Sequence, residues 1–208
     1  MKTITLAAAL FIALGISPVQ AQKKHFGNTV RIATVPGIEL SRKQRESYRS
    51  YRSKKAYFGA FYVVEGTDHS FWTPRFHNFD VAKAAAKKGC EIISKGGNCK
   101  LYALTYPDGV DPNAQGVKGF SHQSGKTFTT RYKRDQKKGT YGAFAVSTAN
   151  GYGHSFGWKS AKEARAAASE YCKLSSNKTL VPLGIEARKW ACARGMEKCT
   201  VVDTHTPD

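Results

Sequence analysis

Acidic side chains are scarce in this chain: Asp and Glu number 15 against 33 Lys and Arg, giving a formal net charge of +18 over 208 residues. The imbalance draws polyanions of every kind, from nucleic acid, lipopolysaccharide and anionic glycans to phospholipid surfaces and acidic proteins, and carries no sequence information of its own. As a solubility device it also suits an exported protein. Long apolar runs are missing after the first, Ile4 to Ile16, and that one is shorter than the roughly 18 residues of a spanning helix. No transmembrane segment is therefore expected. Paired C-x-x-C units are absent, which argues against a zinc site, and no cysteine lies near Ala21 to carry a lipid anchor. The one phosphate-loop echo, Gly119 to Thr127, has five residues between Gly119 and Gly125 where the loop requires four, and no apolar strand leads into it. Neither a metal nor a cofactor is predicted.

Lys2, the apolar run and Val19-Gln20-Ala21 together read as an export signal over 1–21. The expected location is periplasmic or secreted, where disulfides are the default state of cysteine pairs.

The rest of the chain is organised by an internal repeat. Tyr57-Phe58-Gly59-Ala60-Phe61-Tyr62-Val63 is echoed by Thr140-Tyr141-Gly142-Ala143-Phe144-Ala145-Val146, and His69-Ser70-Phe71-Trp72 by His154-Ser155-Phe156-Gly157-Trp158. Ala84-Ala85-Ala86 and Ala166-Ala167-Ala168 lead into Cys90 and Cys172, and Cys99 and Cys199 are followed by Pro107 and Pro207. Phe61 and Val63, like Phe144 and Val146, alternate as strand residues do, and turn residues (Glu65-Gly66-Thr67, Ala149-Asn150-Gly151) return the chain as a hairpin. Asn78 and Ser160 stand where a helix cap is needed, Ser160 with Glu163 as a capping box. Ala82, Ala85, Ala86, Gly89, Cys90 and Ile93 then form one helical face of mostly small residues, suited to lying close on a sheet. Strands through Leu101-Tyr102-Ala103-Leu104 and Thr200-Val201-Val202 close the copies.

The predicted fold is α+β: two tandem strand-strand-helix-strand units with antiparallel sheets, at 56–108 and 139–208, each clipped by a disulfide. The repeat pairs Cys90 with Cys99 and Cys172 with Cys199. The fifth cysteine, Cys192, is left as a free thiol, an intermolecular bridge, or the true partner of Cys199 or Cys172. Residues 22–55 read as a basic arm, partly disordered or a short helix, and 109–138 as a basic linker.

Tyr141 to Ser147, Gly157-Trp158, the Ser-Ala-x-Glu-Ala-x-x-x-Ala segment from Ser160 to Ala168, and Cys172 with Cys199 resemble the domain of unknown function 4189 family of small exported bacterial proteins. Both copies look like this unit, with departures at Thr73 to Phe79 and in the insertion before Cys199. The resemblance implies export and a small cystine-stabilised module, and brings no catalytic residues.

The expected activity is non-enzymatic binding of an anionic polymer, an envelope surface or an acidic protein, with nucleic acid as a nonspecific ligand. Arg42, Lys43, Arg45, Arg49 and Arg52 of the arm, and Arg131, Lys133 and Arg134 of the linker, carry it. One alternative is a secreted nuclease or hydrolase using His69 and His154 as acid and base. Against it, the histidine recurs beside Phe and Trp inside a repeat, as a scaffold residue would. A second alternative is an inhibitor or immunity protein for a secreted effector. Trp72 and Trp158 are expected to anchor the two cores.

Overall fold

Asn78 and Ser160 act as caps in the computed structural model, which describes residues 25–207. The Asn78 side chain accepts the Val81 N–H at 3.0 Å and the Ser160 hydroxyl accepts that of Glu163 at 3.2 Å. Glu163 answers through the Ser160 hydroxyl at 2.9 Å rather than through its backbone. The export signal read at 1–21 lies outside the described residues.

The first half runs β1 (Val30–Thr34), α1 (Arg42–Ser53), β2 (Gly59–Val64), β3 (Ser70–Thr73), α2 (Phe79–Ile93) and β4 (Cys99–Pro107). The second runs α3 (His122–Thr127) with a π-helical turn (Phe128–Tyr132), β5 (Tyr141–Ser147), β6 (Tyr152–Trp158), α4 (Ala161–Leu180), a 3-10 turn (Val181–Leu183), α5 (Ile185–Ala193) and β7 (Cys199–His205). The protein is α+β, with two antiparallel sheets in the orders β1-β4-β2-β3 and β6-β5-β7. Disulfides join Cys90 to Cys99 and Cys172 to Cys199, and Cys192 is free.

Each sheet is covered on one face by its small-residue helix. Ala82, Ala85, Ala86, Gly89 and Cys90 are buried, as are Ala164, Ala168 and Cys172, although Ile93 at the end of the predicted face is 41% exposed. Close approach is achieved by opposite means in the two copies. In the first, a Cβ on Gly89 would collide with the ring of Phe71, which lies across the helix; in the second, a Cβ on Gly153 would collide with the α4 backbone at Ala168, Tyr171 and Cys172.

Strand register corrects the echo. Ala60 pairs with Thr73 and Phe61 with Trp72, while Ala143 pairs with Ser155 and Phe144 with His154. The hydroxyls of Thr73 and Ser155 donate to the carbonyls of Ala82 and Ala164, at 2.8 and 2.7 Å, so Thr73 and Ser155 are the equivalent positions. His154 therefore stands where the first copy has Trp72, and His69 lies outside β3 in the hairpin turn. The apparent recurrence of a His-Ser pair is a sequence coincidence displaced along the strand. Trp158, expected in the core, is 37% exposed, and Trp72 is half-buried against Tyr51.

The reading of 22–55 as an arm and 109–138 as a linker is also corrected. β1 joins the first sheet beside β4, and α1 covers the face opposite α2. Gln44, Tyr48 and Tyr51, at i, i+4 and i+7, form its inner stripe. Gln44 is fully buried, completes a capping box with Ser41, and donates to the carbonyls of Val64 and His69 at 3.0 and 2.8 Å, which fastens the helix to the hairpin. In the second half, Phe120, Phe128 and Tyr132 cover the corresponding face over Phe144. Burying Phe61 and Phe144 in these outer layers stabilises by roughly 2 to 3 kcal/mol each. The Tyr51 hydroxyl donates to Thr105 at 3.0 Å and that of Tyr132 to Asp203 at 2.7 Å, so each outer segment is pinned to the last strand of its own unit. The two basic segments are thus the outer layer of each repeat.

The halves share a core. Ala149, Leu180, Ala191 and Met196 pack with Phe76, Phe79, Ala86 and Cys90, so the insertion before Cys199 forms the seam between the units. His77, buried at the same seam, binds Ser147 O through Nδ1 at 2.7 Å and Ser124 Oγ through Nε2 at 2.8 Å.

Candidate anion-binding site

The outer stripe of α1 carries Arg42, Arg45, Arg49 and Arg52, at i, i+3, i+7 and i+10, a spacing that places cations along one side of a helix whose inner stripe is anchored. The fold treats them unequally. Arg42 pairs with Glu46 at 3.3 Å, Lys43 with Asp68 at 3.0 Å, and Arg45 donates to the Leu40 carbonyl at 2.5 Å. Arg49 has no acidic partner among the described residues, and Arg52 lies 5.7 Å from the centroid of the Tyr48 ring.

At the C-terminal end of the stripe, Arg49, Arg52, Ser53 and Lys55 form the wall of a groove of about 400 Å³, whose floor is Val30 and Ile32 of β1 and Thr105 of β4. No carboxylate lines it. Like charges this close repel by up to about 1 kcal/mol per pair in water, partly relieved by the negative end of the α1 dipole. A bound anion offsets the repulsion. The apolar floor, with Ile32 38% exposed, adds a surface for a ligand that has non-polar parts beside its charge.

Lys55 was not among the expected binding residues, nor were Val30, Ile32, Ser53 and Thr105. Its signal is positional: it follows the helix C-cap with φ of 43°, in the left-handed region where glycine is the usual occupant. Keeping lysine there costs about 1 kcal/mol in backbone strain. Lys55→Gly is accordingly expected to raise stability by about 1 kcal/mol in urea denaturation while weakening polyanion binding; loss of stability would show that the position is not strained.

The cations expected at the linker are mostly engaged internally. Lys133 pairs with Asp203 at 2.9 Å and lies over the rings of Phe128 and Tyr132, and Arg134 pairs with Asp135 at 2.7 Å. Arg131 is exposed and bears on His154, a half-buried residue whose pKa is lowered first by burial and then by that guanidinium. Burial, reinforced by the hydrogen bond to Asp203, raises the Tyr132 phenol. His154 stacks on Phe144 in the second sheet, and His69 is exposed at the hairpin of the first, so no described contact joins the two histidines. Among the described residues no cluster of His, Cys, Asp and Glu is placed to hold a metal ion, and no helix is long and apolar enough to cross a membrane.

Comparison with protein-family models, with curated proteins and with solved structures finds no match to this chain.

Proposed function

We propose that the protein is an exported, non-enzymatic binding protein that holds polyanionic ligands in the α1–β1 groove. One observation carries the reading: Arg49, Arg52 and Lys55 converge on a single groove with no carboxylate in its lining. Nucleic acid, anionic glycans and anionic envelope surfaces all present the required repeated negative charge, and none is selected by sequence. Delivery to the periplasm or the medium accords with the leader-like start of the chain, its two disulfides and the absence of a membrane-crossing helix among the described residues. On the same reading the chain is a tandem member of the domain of unknown function 4189 family.

Titration with heparin and with duplex DNA tests it. If the three cations displace counterions from DNA, affinity should fall about 40-fold between 50 and 200 mM salt. An R49A/R52A/K55A variant should bind at least tenfold more weakly at 50 mM salt and lose most of that salt dependence, whereas R134A should leave both unchanged. Salt-independent affinity, or wild-type binding by the triple variant, would overturn the proposal.

A further inference from the structure

β3 is an edge strand: it pairs with β2 and has no strand on its other side among the described residues. Val64 N–H donates to His69 O at 3.1 Å, so the hydrogen-bonded positions of this hairpin continue at Tyr62 with Phe71 and at Ala60 with Thr73. The N–H and C=O of Ser70 and of Trp72 consequently point away from the sheet, and none of them meets a partner among the described residues. Beside this edge lies a cleft of about 440 Å³, lined by Phe71, Trp72, Arg75 and Phe76 on one side and by Asn150, Thr179 and Leu183 of the second half on the other. Phe71 and Trp72 project to opposite faces of the strand, so a cavity touching both lies at the strand's edge. Its volume is in the range of ligand sites.

We infer that this cleft receives an extended peptide segment bearing acidic side chains, which adds to the first sheet as a strand beside β3. The outward main-chain groups of Ser70 and Trp72 supply the ladder. The aromatic residues at the edge supply apolar contact for alternate side chains of the guest. The charge of the lining selects its sign: Arg75 is the one ionised group there, no carboxylate accompanies it, and it has no acidic partner among the described residues. Arg75 follows the strand after Pro74, with φ of 64°, a left-handed conformation that a long side chain rarely adopts, and lines the cleft. This site is separate from the α1–β1 groove, and its ligand is a protein segment.

The test uses the full chain and a capped hexapeptide alternating valine and glutamate, with both termini blocked so that only side-chain carboxylates are present. Saturable binding at 0.15 M salt is expected, with amide exchange at Ser70 and Trp72 slowed at least tenfold. The valine-lysine counterpart, and the acidic peptide N-methylated at alternate residues, should each bind at least tenfold more weakly. Arg75→Asn, which tolerates the left-handed backbone, should lower affinity five- to tenfold. No binding at millimolar peptide, equal binding of the basic or N-methylated peptides, no slowing of exchange at Ser70 and Trp72, or wild-type affinity in R75N would each overturn the inference.

Discussion

Reduction of both disulfides is expected to remove about 6 kcal/mol of stability and to unfold the protein near room temperature in mild denaturant. The Cys90–Cys99 bridge closes a separation of 9 residues and Cys172–Cys199 one of 27. Restricting the unfolded chain over loops of these lengths contributes about 2.6 and about 3.6 kcal/mol respectively. Net stabilities of domains are about 5 to 15 kcal/mol, so the sum is a large share of the whole. The two bridges are built alike. A serine one helical turn beyond the first cysteine, Ser94 or Ser176, lies 3.8 Å from the sulfur of the second. Cys90 and Cys172 are fully buried on their helices. Paired alanine variants, C90A/C99A and C172A/C199A, followed by urea denaturation, should each lose stability, the second pair about 1 kcal/mol more than the first. Cys192 should remain the single thiol that reacts in the native, unreduced protein. An unchanged unfolding midpoint after complete reduction, or a native protein with no reactive thiol, would contradict this account.

The bridges were legible because the repeat is dense around the first cysteine of each: cap, alanine run and Cys90 or Cys172 keep their spacing in both copies, and a second cysteine opens the last strand of each. The strand equivalence of Gly59-Ala60-Phe61 with Gly142-Ala143-Phe144 was legible for the same reason. The His-Ser-Phe-Trp echo misled because Ser155 is itself the register equivalent of Thr73 whereas Ser70 precedes Thr73 along the strand by three positions, so identical letters fall on different register positions. The strand pairing and the hydroxyl bonds to Ala82 and Ala164 together reveal the true match.

The packing of the outer helices was hidden by their own charge. α1 buries Gln44 and Tyr51 and half-buries Tyr48, a narrow stripe that arginines outnumber in any window of composition, yet its i, i+4, i+7 spacing was available to be read. Arg49 and Arg52 were singled out from the sequence as binding residues, but their convergence depends on β1, which supplies the groove floor from a segment read as an arm. Tyr132 was harder to find, because a π-helical turn gives its neighbours no regular period. The seam between the halves left no periodic trace at all. It is made by an insertion present in one copy and by His77, whose importance lies wholly in its partners.

That histidine should make the protein acid-sensitive well above the range where carboxylates titrate. Its Nδ1 faces the Ser147 carbonyl, which can only accept, so Nδ1 carries the proton and Nε2 accepts from the Ser124 hydroxyl. Its backbone N–H donates to Ala149 O at 2.7 Å and its carbonyl accepts Gly119 N–H at 2.9 Å, so the residue is held on every side by the second half and the segment leading to it. Burial lowers the ring pKa from 6.5 to about 4, partly opposed by the bond to Ser147, and no charged group compensates a proton there. The unfolded chain therefore takes up a proton as pH falls through about 6.5, while the folded chain resists until about 4. Stability contributed by the neutral ring is complete above the first value, declines between the two and is gone below the second, a loss of about 3 kcal/mol. His77→Gln, which can still donate to Ser147 and accept from Ser124, should flatten this decline; His77→Ala should lose roughly 3 kcal/mol already at pH 7, by leaving buried polar groups unmatched. The depressed carboxyls of Asp68, Asp80 and Asp135 lose their contributions at still lower pH, as each falls through its own folded-state pKa, and these groups, like His154, are present in both proteins. The difference between wild type and H77Q in urea denaturation at pH 7, 5.5 and 4.5 therefore isolates the buried ring. Parallel pH profiles for the two proteins would show that the seam does not depend on a neutral histidine.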